Sequence, residues 1–311
     1  MSMDRRHFIG GTLALGAAAC IPPDQSPIGR LETELRLIEG KSGGTLGAAL
    51  YNTASGMTVG INRNRRFGHC SSFKLSLAAM VLAYDASGRA DASRMVAWSE
   101  ADLMPVSPFT RERLADGASL RELARATQIT SDNAAANVLL RDFGGPAALT
   151  QFWRDIGDNV SRLDRTEPAL NNVPVTEFRD TTTPEAMALT VAKLVYGNVL
   201  PEAAREELKG WMIATETGLK RVRAGLPKGW VAGDKTGTSL DGAGGNAIYV
   251  DIGFAEGPKD APPITFATYF IAREAHDDMD EGALATLAEV GRVIKEFAEP
   301  EKGLPLVGKL Y

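Results

Sequence analysis

Apolar residues recur at helical spacing near the start of the chain, at Ile28, Leu31, Leu35 and Ile38, until Gly40 and the polar run from Lys41 to Gly44 break the pattern. This predicts an amphipathic first helix. Leu46 to Tyr51 and Met57 to Ile61 read as two strands, and the turn chemistry of Asn52, Thr53, Ala54, Ser55 and Gly56 between them predicts a β-hairpin. The next signal is different in kind. From Leu75 to Ala83 the chain is apolar nearly all the way round a helix, which predicts burial on every side, and Gly88 stands where a left-handed cap would end it. Strand signal is absent from Ser71 to about Tyr196, where Ala-, Leu- and Arg-rich helical patterns are punctuated by Gly88, Gly117, Gly144, Gly145 and Pro184. It returns at Trp230 to Ala232, Ala247 to Phe254 and Ile264 to Ala272, with glycine-rich turns between. A last helix from about Glu281 to Glu299 carries Leu284, Leu287, Val290, Ile294 and Phe297 on one side, so it can pack beside the first.

The elements predict an α/β lobe built from both chain ends, residues 26–62 and 217–299, and an all-α lobe from residues 63–216. Clefts between lobes commonly hold sites. Residues 300–311 show no periodicity and read as a tail. With 311 residues and 44% hydrophobic content, the chain is long enough to bury a large core. A formal charge of −5 carries no nucleic-acid footprint. His7, His69, His276, Cys20 and Cys70 fall at no metal-ligand spacing, so no metal site is expected. The amino terminus is informative in another way. Asp4, Arg5, Arg6, His7, Phe8 and Ile9 precede a small-residue apolar segment from Gly10 to Ala19, the pattern of a twin-arginine export signal over residues 1–19. That segment is too short for a permanent membrane anchor, and Ala17, Ala18 and Ala19 offer a cleavage site. The expectation is an exported, periplasmic protein, with lipid attachment at Cys20 as the alternative outcome. No long heptad or repeat is present, so a monomer is expected.

Candidate chemistry starts at Ser71 and Lys74, three residues apart and able to share one helical face. They mark the first turn of the buried helix, where the helix dipole is positive. Burial and that field both favour the neutral amine, which can accept a proton from serine. Three further motifs follow in order. Ser131, Asp132 and Asn133 lie in a polar break between helical runs. Arg165, Thr166, Glu167, Pro168, Ala169, Leu170 and Asn171 open a proline-containing loop that ends at Asp180, and Lys235, Thr236 and Gly237 complete the set.

These four motifs in this order resemble those of class A serine β-lactamases over roughly Ser26 to Glu299. The resemblance implies a two-lobed fold shared with penicillin-binding proteins, in which an antiparallel sheet is flanked by the terminal helices and joined to an all-helical second lobe. It implies that Ser71 attacks the lactam carbonyl to form an acyl-enzyme, with Lys74 or a Glu167-activated water as the acylation base. The backbone amides of Ser71 and Thr238 would form the oxyanion hole, and Ser131, beside Lys235, would protonate the departing nitrogen. Glu167 would activate the deacylating water, held by Asn171. Asn133, Thr236, Gly237, Thr238 and Arg221 would bind substrate, with Arg223 a competitor for the role of Arg221 on the substrate carboxylate. Arg165 and Asp180 would form an ion pair that pins the loop carrying Glu167. The implied substrates are penicillins and cephalosporins, with no cofactor.

Two departures bear on specificity. Val106 stands where many relatives carry an aromatic residue, and Ser239 stands where a disulfide partner of Cys70 would be needed, so that bridge is not expected. A penicillin-binding peptidase acting on D-alanyl-D-alanine ends and a penicillin sensor that acylates once are the rival functions. Glu167 with Asn171 argues against both.

Overall fold

A computed structural model describes residues 26–174, 176–242, 245–258 and 261–298. The export segment, Cys20, Glu299 and the expected tail lie outside these residues. The first helix, α1, spans Pro27–Ser42; the Ser26 hydroxyl caps it by accepting from the Gly29 amide at 3.0 Å, and Gly43 closes it at φ 71°. Strands β1 (Thr45–Asn52) and β2 (Thr58–Ile61) form the expected hairpin. Strands β3 (Val231–Gly242), β4 (Asn246–Glu256) and β5 (Ile264–Ile271) complete an antiparallel sheet in the order β2-β1-β5-β4-β3. The chain therefore closes its sheet by pairing β1 with β5, in register from Thr45 opposite Ile271 to Asn52 opposite Ile264.

Alternation along β4 divides the apolar residues between two cores. Ile248, Val250, Ile252 and Phe254 face the helical body, and Ala247, Tyr249 and Ala255 face the terminal helices. Helix α1 and the last helix, Glu281–Ala298, cover that second face, with Leu35, Leu287, Val290 and Ile294 buried between them and the sheet. The helical body surrounds helix α2 (Phe73–Ala86), which is buried along almost its whole length, as an all-round apolar sequence requires. Gly88 takes φ 72° just past its end. Around α2 pack α3 (Leu120–Ile129), α4 (Asn133–Phe143) and α5 (Pro146–Asp155), with α6 (Pro184–Val195) and α7 (Glu202–Ile213) leading back to the sheet.

Two expectations need correction. The strand expected only over Trp230 to Ala232 runs from Val231 through Lys235, Thr236, Gly237 and Thr238 to Gly242. Polar residues and glycine weaken a strand signal, but β3 is an edge strand that faces the cleft, where an apolar pattern is not required. Short strand pairs also occur within the stretch that showed no strand signal and just before it: Thr181–Thr182 with Phe67–Gly68, and Met95–Val96 with Ala118–Ser119. Two-residue bridges leave no periodicity to detect.

Candidate active site

Ser71 sits in a single 3₁₀ turn, Cys70–Ser72, that leads directly into α2, and Lys74 is the second residue of that helix. One turn of spacing brings Lys74 Nζ within 2.8 Å of Ser71 Oγ. Three other elements converge on this pair. The Ser131 carbonyl and the Asn133 side-chain oxygen accept from Lys74 Nζ at 2.9 and 2.5 Å, and Ser131 Oγ lies 3.5 Å away. The far side of Ser131 Oγ is met by Lys235 Nζ at 3.0 Å, which also donates to the Thr236 carbonyl at 2.7 Å. From the 165–180 loop, Glu167 Oε1 accepts from Ser71 Oγ at 2.9 Å and lies 3.0 Å from Lys74 Nζ. Asn171 Nδ2 holds the other carboxylate oxygen, Oε2, at 2.7 Å. The four motifs thus join in one hydrogen-bonded network built on Ser71 Oγ, Lys74 Nζ and Ser131 Oγ.

Burial lowers the pKa of Lys74, against the opposing charge and hydrogen bond of Glu167. For Glu167 burial pushes upward, but Lys74, Ser71 and Asn171 together outweigh it and hold the carboxyl below its usual range. The Glu167 carboxyl is therefore ionised at neutral pH. Lys235 is held well below the ordinary lysine range, first by burial and then by repulsion from Lys74.

Close backbone approach explains Gly237. A Cβ there would lie 2.7 Å from the His69 carbonyl oxygen, 2.9 Å from Cys70 Cβ and 3.1 Å from the Ser71 amide nitrogen. A glycine lets β3 lie against the turn that carries Ser71. The loop carrying Glu167 is tied down as the resemblance implied. Arg165 Nε donates to Asp180 Oδ2 at 2.5 Å, and Asp180 Oδ1 accepts the amides of Asp164 and Arg165 at 2.7 and 2.9 Å. The Asp180 carbonyl in turn accepts the His69 amide at 2.9 Å, so the loop end is bonded to the residue two before Ser71.

Arg221 differs from expectation. Its guanidinium is buried and does not present itself to the cleft: one terminal nitrogen donates to the carbonyls of Gly237 and Val250, and the other donates to Thr238 Oγ1 at 2.6 Å. The physical reason is that a buried guanidinium must have its donors matched, and two sheet carbonyls and one hydroxyl lie within reach. Thr238 Oγ1 is thereby polarised by a buried guanidinium. Thr236 shares a 2.6 Å hydrogen bond with Thr217. The competitor, Arg223, is committed elsewhere, in a two-pronged pair with Asp234 at 2.7 and 2.8 Å.

Asn133 Nδ2 donates to the Pro105 carbonyl at 2.9 Å, and the Asn133 amide donates to the Val106 carbonyl at 2.8 Å, so the loop at the cleft mouth is fastened to the same motif. Val106 itself is exposed at φ 58°, an uncommon conformation for a β-branched residue. Cys70 is buried and free, and burial pushes its thiol up to about 12, which keeps it unreactive.

Asn137 was not anticipated. Its side chain accepts the Glu167 amide at 3.0 Å and donates to the Glu167 carbonyl at 2.9 Å, clamping the Glu167 backbone. Its place four residues after Asn133, on the same face of α4, was the available signal. Asp132 also acts structurally: it caps α4 through the Ala135 amide and holds Thr110 by its amide and hydroxyl. Among the described residues no cluster of His, Cys, Asp and Glu could hold a metal ion.

Comparison with known proteins agrees with this geometry. Residues 30–298 match the Beta-lactamase enzyme family. The chain is 39% identical to β-lactamase OXY-2 of Klebsiella oxytoca over 260 residues, covering 84% of this chain and 88% of that protein. It is 43% identical to β-lactamase FAR-1 of Nocardia farcinica over 219 residues, covering 70% and 69%. Among solved structures, an ancestral class A β-lactamase superposes with a TM-score of 0.80 at 43% identity, covering 86% of this chain and 99% of that one. A β-lactamase from Desulfarculus baarsii superposes at 0.81 with 38% identity, covering 87% and 97%. The chain belongs to the β-lactamase enzyme family and is a class A serine β-lactamase.

Proposed function

We propose that the protein hydrolyses penicillins and cephalosporins through an ester on Ser71, and that Glu167 then directs water onto that ester. The observation that carries this reading is the position of Glu167: one carboxylate oxygen touches Ser71 Oγ at 2.9 Å while Asn171 fixes the other at 2.7 Å. An ester on Ser71 would form within reach of an ionised base whose orientation is already set. Both Lys74 and Glu167 lie within proton-transfer distance of Oγ, so the geometry supports either as acceptor in acylation. Ser131 Oγ, between Lys74 and Lys235, is the donor for the leaving nitrogen. The amides of Ser71 and Thr238 take the oxyanion, a role whose loss typically costs about a hundred- to thousandfold in rate. Asn133, Thr236 and Thr238 line the substrate side, while Arg221 acts from behind Thr238.

Export by the twin-arginine segment belongs to the same reading, because Arg5 and Arg6 followed by the apolar run to Ala19 match such a signal. No described helix is long and apolar enough to cross a membrane. The test is turnover of a chromogenic cephalosporin by the purified protein and by Glu167→Gln. Steady turnover by the wild type and a burst of one equivalent by the variant are expected. A single equivalent from the wild type would replace the hydrolase with a peptidase-like or sensor-like acyl-protein.

A further inference from the structure

Behind β3 stands a carboxyl to which the reaction assigns no task. Asp251 is fully buried in the middle of β4, opposite Thr236 of β3 on one side and Thr268 of β5 on the other, on the sheet face that meets the terminal helices. Its Oδ2 accepts the Val222 amide at 3.0 Å, and its Oδ1 has no hydrogen-bond partner. The neighbouring residue in sequence to Val222 is Arg221, also buried, whose Nε has no partner either. A leftover acceptor on a carboxyl and a leftover donor on a cation thus occupy the same dry layer. Burying a carboxyl in mid-sheet is costly unless a compensating charge makes use of it. Arg223 and Asp234 satisfy each other, which leaves Arg221 as the guanidinium and Asp251 as the carboxyl still to be matched in this layer.

The front of the layer is the substrate side. Thr238 Oγ1 accepts from Arg221, so the hydroxyl's own proton is directed away from the guanidinium and is free for a carboxylate oxygen in the cleft. How strongly that hydroxyl attracts an anion follows the net charge behind it. We propose that Asp251 is a positioning residue for the substrate carboxylate: it anchors the turn that carries Arg221 and offsets the guanidinium charge felt at Thr238. The inference rests on the β-lactamase reading and adds to it a determinant of how tightly anionic substrates are held.

The groups facing Asp251 are Arg221 and Arg223 from the 221–225 turn and Asp234 from β3. Tyr249 lies two residues before it on β4, on the same face, with Arg221 over its ring at 5.9 Å. Burial and then Asp234 push the Asp251 carboxyl well above its usual range, and Arg221 opposes them. As pH rises through that range the carboxyl ionises and the attraction at Thr238 weakens.

Asp251→Asn tests this, since asparagine keeps the volume and an acceptor for the Val222 amide but removes the charge. Steady-state kinetics at the alkaline end of the protein's stable pH range, where ionisation of Asp251 is most complete, would use a chromogenic cephalosporin as its free acid and as its methyl ester. For the acid, the variant is expected to lower KM about three- to tenfold, the effect of a modest change in charge at one site. Its kcat, the KM of the ester and the unfolding temperature are expected to stay near the wild-type values. Equal changes for acid and ester, no change, or a higher KM for the acid would overturn the inference and leave Asp251 as a structural residue. Should the variant not fold, the wild type alone decides: across the whole pH range in which the protein stays folded, the acid-to-ester KM ratio is expected to rise with pH, and a flat ratio overturns the inference. A wild type that leaves the cephalosporin intact would overturn the hydrolase reading and this inference with it. Turnover with an unaltered acid-to-ester ratio overturns this inference alone.

Discussion

Lys74 and Glu167 lie 3.0 Å apart with neither side chain exposed, and the ionisation of each depends on the other. Breaking a buried pair leaves an uncompensated charge, but Lys74 keeps the oxygens of Ser131 and Asn133, so Glu167→Gln is expected to fold. Its deacylation rate is expected to fall by about a hundred- to ten-thousandfold, the usual worth of a general base, read as the lifetime of the acyl-enzyme. Another buried residue sets acid stability. His69 is buried and stacks on Trp153 at 5.0 Å, with no well-formed hydrogen bond to either ring nitrogen. Burial lowers its pKa from 6.5 to about 4, although Asp158, Asp180 and the Thr181 backbone favour the charged ring and Arg66 opposes it. Above pH 6.5 the ring is neutral in both folded and unfolded chains and contributes no pH dependence. As pH falls from 6.5 to about 4 the unfolded chain takes up a proton that the folded one refuses, so stability declines by up to roughly 3 kcal/mol. Urea unfolding at pH 7.5 and pH 4.5 should show this decline in the wild type and a smaller one in His69→Phe. An equal decline in both would assign acid sensitivity to other groups. The sequence identified Ser71, Lys74 and Glu167 by type and order, but Asn137 and Asp251 carry no motif and gain meaning only from what they touch.

Two segments without regular structure in the sequence pattern turn out to position the chemistry. The 165–180 loop is fixed at its neck by Arg165 and Asp180, and Asp180, fully buried at φ 58°, passes the constraint to His69 through its carbonyl. Replacing Asp180 with asparagine retains an acceptor for the Asp164 and Arg165 amides but weakens the ion pair. Deacylation is expected to slow by roughly ten- to a hundredfold, as for a misplaced catalytic group, with acylation less affected. Single-turnover acylation and acyl-enzyme decay would separate the two, and an unchanged lifetime would remove Asp180 from the deacylation step. The second segment is β3. Its cleft-facing run is too polar to announce a strand, yet pairing from Val231 opposite Glu256 through Ser239 opposite Ile248 holds Lys235, Thr236 and Thr238 at fixed heights along the sheet edge. The helices were easier to read. In α2 the apolar residues announce burial directly, whereas an edge strand can satisfy half its backbone groups without an apolar face.

In the whole molecule the sheet separates two cores with different duties. The core on the helical side contains α2 and supports the nucleophile, and the core under the terminal helices contains Leu35, Leu287, Val290 and Ile294. Leu287→Ala is therefore expected to lower unfolding free energy by about 2–5 kcal/mol while kcat/KM stays within a few fold. A loss of activity that tracks the loss of stability would show that the two cores are coupled. The sequence by itself determined the family, the two kinds of lobe and the terminal helices, and it singled out Ser71, Lys74 and Glu167 as the candidates for nucleophile and base. These are written in residue type, local periodicity and motif order, which need no long-range contact to be read. Only the tertiary structure decided that Arg221 works from behind Thr238, that Asn137 clamps Glu167, that Gly237 is a close-approach residue, and that Asp251 faces the cation layer. Those roles come from tertiary packing, which brings together residues from 16 to 168 positions apart and assigns each donor an acceptor within reach.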